Sequence, residues 1–525
     1  PPLLAGNFAE LRPNHFHGGL DFKTLGKEGL EVLAAQDGYI SRIKVSPYGY
    51  GKTLYITHAN GYVTTYNHLQ KYAPEIEAFV KKKQYEKQSY DIDIIPTEDM
   101  FVVKKGDWVA VSGNTGGSQG PHLHFEVRDT SNNGWNPLLF GFNDIEDTTP
   151  PEVTQLFAYS LSEDAQVEET QLPRQIHKTK QPDGTYLADK ISAIGTIGFG
   201  FSAYDRQDGT AHKNGIYKAT LQLNGETQLV SAFDKVNFDD TRYINVLVDY
   251  PHYIDHKGFV QLLYKTPGNK LEIYPVLNPN NGYLTIAEGQ QYTVTVIVED
   301  FKGNATRINI PIEGARAELK TPRPENKGNT EIIAKRDNYY ELPNGNVYFP
   351  ENTFYENTKI TLSGEGESVQ IGDYKTPIHK FYTLSIKNTK YKDDEVSRVY
   401  ISRGGSFEPT VYKDGFFTAR VRGLGRFSLR KDETPPVVKA LNFKNKGIVK
   451  ADVLKLSVSD NLSGFSHCSA TLNGQWILFE YEPKNHTLKF NFADITPSDS
   501  NSYDLEVKAF DKAGNVGTLK ATFTR

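Results

Sequence analysis

The sequence predicts a mainly β protein with several separate cores. Short runs rich in Tyr, Phe, Val, Ile and Thr alternate with Asn-Gly, Asp-Gly and proline-containing turns along most of the chain. Residues 54–57 and 62–66 give the clearest β-hairpin, because the Asn60-Gly61 pair between them tolerates positive φ. The 525 residues correspond to three or four domains at about 150 residues each. With 38% hydrophobic residues, the chain can fill such cores rather than stay disordered.

One clear helix is predicted, and it begins at Pro74. Proline suits the first turn of a helix. Apolar side chains then follow at helical spacing between charged residues, at Ile76, Phe79 and Val80. We expect this apolar face to pack against the protein rather than to take part in function.

The composition excludes two classes of partner. The net charge is −5 and no run of like charge exceeds Lys81-Lys82-Lys83, so no nucleic-acid surface is predicted. No uninterrupted apolar stretch reaches about 18 residues, so no membrane span is predicted in this chain. The single cysteine, Cys468, can form no internal disulfide and is expected to be a small buried residue. Because the chain begins at Pro1 without methionine, we expect that an N-terminal piece was removed.

A weak repeat organises the chain after residue 146. The Thr-Pro-Pro sequence at 149–151 recurs at 434–436, and each copy continues through a strand ending in aspartate to a turn of the form Asp-x-x-Gly-Asn. The two copies, residues 147–314 and 432–525, resemble bacterial immunoglobulin-like modules, which are β-sandwiches. Acidic residues at the turns of the β modules can in principle bind calcium, but EF-hand spacing is absent, so we favour turn chemistry.

The remaining segments complete the predicted domain organisation. Residues 315–330 are polar and contain Pro322, Pro324 and Gly328, a composition typical of a linker. Residues 331–431 again alternate strands and turns, and they predict a β module whose family the sequence does not identify. Residues 1–146 form the remaining predicted domain.

The chemistry is concentrated in that first domain. Six of the 13 histidines lie within the first 124 residues, at His15, His17, His58, His68, His122 and His124. In a strand, residues two apart share a face, so His122 and His124 can serve one site. The Gly-Gly pair after His17 permits a backbone path on which His17 and Asp21 converge. Two histidines and an aspartate would give zinc three protein ligands and leave the fourth position to water.

Three motifs, in order, carry a family resemblance. They are His17-x-Gly19-x-Asp21, Tyr66-x-His68-Leu69, and Gly-Pro-His-Leu-His-Phe-Glu at 120–126. Over about residues 7–142 the chain resembles the lysostaphin and LytM family of zinc metalloendopeptidases, which cut peptide bonds in bacterial peptidoglycan. The resemblance implies a small β catalytic domain built on a duplicated motif, whose halves match residues 35–43 and 102–112, with the predicted helix as an insertion.

The resemblance also implies roles for individual residues. His17, Asp21 and His124 would bind Zn²⁺, whereas His68 and His122 would flank the water. His122 is the candidate general base and His68 the candidate donor to the oxyanion, although these two roles can be exchanged.

Four further residues near these motifs fall outside the matched ligand positions. For His15 and His58 we favour support of the ligands or a plain structural role. Arg12 and Asn14 either contact a substrate carbonyl or carboxylate, or Asn14 caps the local turn.

We therefore expect a zinc-dependent endopeptidase that hydrolyses peptidoglycan peptides outside the cytoplasm, in the periplasm, the cell envelope or the medium. Two alternatives are a catalytically silent LytM-like protein that binds the wall or regulates an amidase, and a zinc endopeptidase that acts on a protein. The β modules are expected to position the enzyme, with an envelope protein as a further candidate partner. The insertion at 74–100 is expected either to wall one side of the substrate groove or to be a surface decoration.

Overall fold

The N-terminal domain is a twisted antiparallel sheet with a small second sheet beside it. The computed structural model describes residues 2–495 and 501–525. Strands of this domain are β1 (Leu4–Gly6), β2 (Leu11–Arg12), β3 (His15–Phe16), β4 (Leu20–Lys23), β5 (Glu31–Leu33), β6 (Gly38–Val45), β7 (Lys52–His58), β8 (Val63–Leu69), β9 (Lys71–Tyr72), β10 (Ile92–Ile94), β11 (Val102–Val103), β12 (Trp108–Val111), β13 (His122–Arg128) and β14 (Asn133–Trp135). The main sheet runs β1-β4-β13-β8-β7-β6-β10, and β5-β12-β9 form the second sheet.

Local sequence explains the central strands. The predicted hairpin is confirmed, since β7 and β8 pair with Leu54 opposite Tyr66 and Gly61 has φ +84° in the turn. Apolar side chains of β6 and β7 alternate into the core, where Ile40 and Leu54 are fully buried. Because β13 lies between β4 and β8, the motifs of three distant segments become neighbours on one sheet.

The predicted helix is confirmed as α1 (Pro74–Lys87), with Ile76 and Val80 buried. It ends at Gln88, which adopts a left-handed conformation with φ 48°. No helix within residues 2–495 and 501–525 is long and apolar enough to cross a membrane.

The three later regions are also built from strands. The largest, after residue 146, has the sheet strands Glu152–Ser160, Ile191–Tyr204, Lys218–Leu223, Glu226–Ala232, Gln291–Glu299 and Ala305–Gly314, with the short helices Ile244–Leu247 and Tyr250–His256. The next has two five-stranded sheets, Asn338–Leu342, Gly345–Phe349, Tyr382–Lys387, Phe416–Val421 and Thr410–Lys413 against Leu362–Glu365, Ser368–Ile371, Gly425–Lys431, Val399–Arg403 and Ser406–Glu408.

The last region has a four-stranded and a five-stranded sheet. Its strands are Val437–Ala440, Val453–Ser459, Thr487–Asn491 and Glu480–Glu482, and Gly447–Ile448, Val516–Thr524, Ser502–Asp511, Phe465–Leu472 and Gln475–Trp476. Apolar residues of the two sheets, including Leu456 and Val507, are fully buried between them. The chain as a whole is mainly β, as the sequence predicts.

The N-terminal domain shares a core with the region that follows it. Phe8 and Phe16 are buried in the apolar cluster of residues from 153 onward, and the rings of Phe16 and Phe233 lie 5.8 Å apart. Strand β14 also pairs with strand Lys235–Asn237 of that region. The regions before and after residue 146 are therefore packed together, and a fragment ending at this residue would expose Phe8 and Phe16 to water.

The insertion contacts the last region of the chain. Lys81 on α1 forms an ion pair with Asp494, with Nζ and Oδ2 2.7 Å apart, and the Tyr85 ring lies edge-on to Trp476. A groove lies over His17, His68, His122 and His124, and none of the described residues that line it comes from 74–100. The insertion therefore does not form a wall of the groove. It is also more than a surface decoration, because it binds the last region of the chain through Lys81 and Tyr85.

Candidate active site

Strand register brings the predicted site residues together. His124 on β13 lies opposite Asp21 on β4 and opposite Asn67 on β8, so His68 is one residue from the same rung. Gly19 is required beside this pairing, because a Cβ there would lie 2.0 Å from the Phe125 carbonyl oxygen. The glycine thus lets the segment of His17 approach β13 closely, as the sequence predicts.

Three ligand atoms converge on one point at the floor of a groove. His17 Nε2 lies 2.9 Å from His124 Nδ1 and 3.0 Å from Asp21 Oδ1, and His124 Nδ1 lies 2.8 Å from Asp21 Oδ1. All three side chains are buried. The predicted ligand set is therefore a compact cluster of two nitrogens and one oxygen.

The outer hydrogen bonds fix which nitrogen of each histidine faces the cluster. His17 Nδ1 donates to the Asn7 carbonyl oxygen at 2.6 Å, and His124 Nε2 donates to Glu126 Oε1 at 2.8 Å. A metal ion bound between the two rings and Asp21 would therefore meet the inner nitrogen of each ring, once His124 has given up the proton it shares with Asp21. Three lone pairs at this distance repel one another unless a cation or a proton lies between them.

Glu126 is the centre of the outer hydrogen-bond network. This fully buried carboxylate also accepts a hydrogen bond from Tyr50 Oη at 2.7 Å and pairs with Arg128. Burial would raise the pKa of Glu126, but the charge of Arg128 and the bond from His124 lower it to about 2. Glu126 thus stays ionised and holds His124 in one orientation.

The pKa values of the cluster reflect its acidic surroundings. Burial would lower the pKa of His124, yet the hydrogen bonds to Asp21 and Glu126 raise it to about 9. Burial acts to raise the pKa of Asp21, but the charge of His17 and hydrogen bonds from the histidines hold it far below its usual range. The cluster therefore favours a bound positive charge.

His68 and His122 lie beside the cluster and face the groove. His68 Nδ1 donates to the Thr115 carbonyl oxygen at 2.8 Å, and His122 Nδ1 donates to the Gly120 carbonyl oxygen at 2.8 Å. Their rings are 4.8 Å apart. Each therefore leaves Nε2 free to accept a proton. Burial, and then the charges of His124 and His122, lower the pKa of His68 to about 3, so its ring is neutral.

The groove above the cluster has a volume of about 970 Å³. Charged and polar side chains line it, among them Glu10, Arg12, Lys23, Tyr50, Ser118 and His212. His212 belongs to the region after residue 146, so the groove is built from two parts of the chain. The sequence patterns identified Arg12 as a contact candidate but not His212.

The other sequence candidates lie outside the cluster. His58 is buried between the Asp37 carbonyl oxygen and Thr64 and is not among the groove residues. His15 is exposed on the groove rim, where Nδ1 donates to the Pro13 carbonyl oxygen at 2.9 Å.

Arg12 and Asn14 take different positions. The Arg12 guanidinium lies in the groove, with Nη2 3.6 Å from Asp21 Oδ2. Asn14 has φ 66°, and its side-chain oxygen accepts a hydrogen bond from Asn245. Asn14 therefore joins two parts of the chain instead of facing the groove.

The donor set fits zinc. Two imidazole nitrogens and one carboxylate oxygen are typical zinc ligands, and three protein ligands leave a position for water. Zinc bonds of about 2.0 to 2.2 Å separate ligands at tetrahedral corners by about 3.4 Å, so the observed spacing of 2.8–3.0 Å needs only a small expansion.

Comparison with known proteins agrees with the motifs. Residues 15–85, which include His17, Asp21 and His68, match the model of Peptidase family M23. A 122-residue segment is 34% identical to an uncharacterized metalloprotease of Haemophilus influenzae, covering 23% of this chain and 20% of the relative. A 111-residue segment is 36% identical to the peptidoglycan DD-endopeptidase ShyB of Vibrio cholerae, covering 21% of this chain and 20% of the relative. The match thus spans about a fifth of these relatives' length.

Two further similarities concern structure and the later regions. The catalytic domain of lysostaphin from Staphylococcus simulans is 26% identical over 26% of this chain and 87% of that chain, with a TM-score of 0.20. Residues 329–432 match the model of a Zu5-like domain, which gives a family to the β module that sequence reasoning left unnamed. The resemblance that the motifs predict is confirmed at the level of the match to Peptidase family M23 over residues 15–85.

Proposed function

We propose that this chain is a zinc-dependent endopeptidase that hydrolyses peptide bonds of peptidoglycan outside the cytoplasm. The observation that carries the proposal is the convergence of three potential ligand atoms, from His17, Asp21 and His124, at the floor of an open groove. The M23 match supports a metallopeptidase, and relatives named as peptidoglycan DD-endopeptidases support the substrate class.

In this proposal His17 Nε2, Asp21 Oδ1 and His124 Nδ1 hold the metal. Zinc bound there supplies Lewis-acid chemistry, which polarises a peptide carbonyl and lowers the pKa of water to about 7. The Asn7 carbonyl oxygen and Glu126 Oε1 accept hydrogen bonds from the outer nitrogens of the two rings, which leaves the inner nitrogens to bind the metal.

His122 accepts the proton of the attacking water at Nε2. This nitrogen lies beside the ligand set, 3.3 Å from Asp21 Oδ1. His68 stabilises the oxyanion. Since Nδ1 of His68 already donates to Thr115, a hydrogen bond from Nε2 to the oxyanion requires that the ring take up a second proton from solvent in the groove, which the negative charge of the oxyanion favours.

The groove offers charges that fit a peptide with free carboxylates. Arg12 of β2 and Lys23 of β4 line it, and Lys23 Nζ donates to Thr210 Oγ1 at 3.0 Å. Peptidoglycan peptides carry carboxylates, which a lysine or arginine binds by charge-assisted hydrogen bonds.

The test is digestion of purified peptidoglycan by the full chain, with mass spectrometry of the released peptides. We expect new amino and carboxyl ends with the zinc-loaded protein, and none after chelation or with His122→Ala. Binding to sacculi without any cleavage would favour the silent LytM-like alternative. Cleavage of soluble proteins but not of peptidoglycan would favour a protein substrate.

A further inference from the structure

Two clusters of aspartates lie away from the groove, one at the entry to each immunoglobulin-like copy. The first acidic cluster consists of Asp147, Asp205 and Asp300. The second acidic cluster consists of Asp432, Asp460 and Asp511. Within each cluster, one carboxylate oxygen per residue lies within 4.8 Å of the others. The six residues occupy equivalent places in the two copies: before Thr-Pro-Pro, at the end of a strand, and in the Asp-x-x-Gly-Asn turn.

The two clusters are built in the same way. In the first, the backbone N of Asn304 donates to Asp300 Oδ1 at 2.9 Å, and its side chain donates to the Asp147 carbonyl oxygen at 3.1 Å. The second copy repeats both bonds, at 2.8 and 2.9 Å, with Asn515, Asp511 and Asp432. The arrangement is therefore a property of the repeat and not of one loop.

Each cluster contains buried oxygens that receive no hydrogen bond. Asp205 is 4% exposed, and its Oδ1 accepts no hydrogen bond from any donor among the described residues, although its carboxyl group lies against that of Asp147. Asn214, which forms a backbone bridge with Asp205, is equally buried and has an unpartnered Oδ1. A buried acceptor without a donor is unfavourable, so these oxygens indicate that a cation belongs here.

The second acidic cluster shows the same deficit. Oδ1 of Asp460 has no partner, nor do the side-chain oxygens of the buried residues Ser463 and Asn515. Ser463 adjoins the cluster, since its backbone N donates to Asp432 Oδ2 at 2.9 Å.

The charge in the clusters is also unbalanced. Within residues 2–495 and 501–525, none of the six aspartates forms an ion pair with a lysine, arginine or histidine. Three carboxylates therefore lie together with no protein cation to offset them. Because every donor is a hard oxygen, the cation that suits the clusters is calcium rather than zinc.

We propose that each acidic cluster is a Ca²⁺ site that secures the entry of an immunoglobulin-like module. The ligands are the three carboxylates of the cluster, completed by water and by the unpartnered side-chain oxygens nearby.

The first site has a consequence for the groove. The loop that starts at Asp205 carries Gln207, which bonds the backbone of Leu4, and His212, which lines the groove. Calcium bound by Asp205 would therefore steady one rim of the candidate active site.

Calcium titration of the full chain tests the proposal. The protein is stripped of metal and reloaded with one equivalent of zinc, and Ca²⁺ uptake is then measured by calorimetry. We expect two Ca²⁺ per chain, one lost in Asp205→Asn and the other in Asp460→Asn, with zinc content unchanged. The control Asp183→Asn alters an exposed turn aspartate that accepts from Thr185 and should keep both sites.

Thermal unfolding gives a second readout. Calcium should raise the melting temperature of the wild type. In calcium-free buffer, Asp205→Asn should melt at or above the wild type, because it removes one of three neighbouring carboxylates that repel one another, and it should respond less to calcium. An aspartate with a purely structural role would melt lower when replaced. Absence of Ca²⁺ uptake by the wild type at millimolar concentration, or unchanged stoichiometry in both variants, overturns the proposal.

Discussion

Replacing Glu126 with glutamine tests how the outer network controls the metal site. The Glu126 carboxylate accepts hydrogen bonds from His124, Tyr50 and Arg128, but the amide of a glutamine at this position would offer only one oxygen. If that oxygen faces His124, the amide NH₂ opposes the guanidinium. If the NH₂ faces His124 instead, the ring must move its proton to Nδ1, where the metal would bind. Either orientation weakens the site.

Two effects of Glu126→Gln are expected, one on zinc affinity and one on the stability of the fold. Loss of an outer carboxylate typically weakens metal binding about 10- to 100-fold, which corresponds to about 1.4 to 2.8 kcal/mol. Removing the partner of Arg128 also destabilises the fold by about 3 kcal/mol. We take the lower end of the usual range, since the Arg128 side chain is 18% exposed and lies over the Phe238 ring.

The assay is competition for zinc with a chromophoric chelator, together with denaturant unfolding of the zinc-free protein. Glu98→Gln makes the same chemical change at an exposed carboxylate that bonds Tyr39, and it should alter neither quantity. Tyr50→Phe removes one bond to Glu126 while keeping its charge, and it should have a smaller effect on zinc affinity. A Glu126→Gln protein with wild-type zinc affinity would refute the role given to this network.

Four further outcomes are expected. His124→Ala should lose both zinc and activity, and full zinc occupancy in metal analysis would show that the wrong histidine was assigned. His68→Ala and His122→Ala should keep zinc but lose turnover by about 10²-fold or more; wild-type turnover in both would contradict the mechanism. Phe16→Ala should destabilise the chain by about 3–5 kcal/mol in denaturant unfolding, because Phe16 is 4% exposed in the shared core; a change below about 1 kcal/mol would argue against that core. Lys81→Ala should weaken the contact of the last region with α1, so that an added protease cleaves this region faster. The control Lys82→Ala removes a side chain that is 71% exposed and should leave the cleavage rate unchanged. Equal cleavage rates in the two variants would argue against the Lys81–Asp494 contact.

The cluster of His17, Asp21 and His124 could be predicted because its residues follow local sequence patterns. His17 and Asp21 are close in sequence, and His122 and His124 lie two residues apart on one strand and so share a face. The sequence did not reveal that the strands carrying them, β4 and β13, are paired. The predicted hairpin and helix likewise depend on short-range signals, Asn-Gly and an N-terminal proline. Such signals act within a few residues and survive any tertiary context that accepts the element.

Other features depend on contacts that the sequence does not encode locally. The apolar character of Phe8 and Phe16 predicts burial but not the core that receives them, which belongs to the region after residue 146. The two acidic clusters join residues up to about 150 positions apart, and each aspartate alone is an ordinary turn residue. The sequence alone therefore does not show that carboxylate oxygens of the three aspartates in each cluster lie within 4.8 Å of one another.

The later regions are part of the architecture of the candidate active site. On one side, His212 of the second region lines the groove. On another, Lys484 of the last region donates to the carbonyl oxygens of Asn114 and Gly116, the second at 3.2 Å. Thr115 lies between these two residues, and its carbonyl oxygen accepts the hydrogen bond from His68 Nδ1. A cation that bonds both neighbouring carbonyls restrains this peptide segment, so the last region helps fix the orientation of His68. Docking of that region through α1 and Lys484 therefore links a module at the end of the chain to a flanking histidine of the metal cluster.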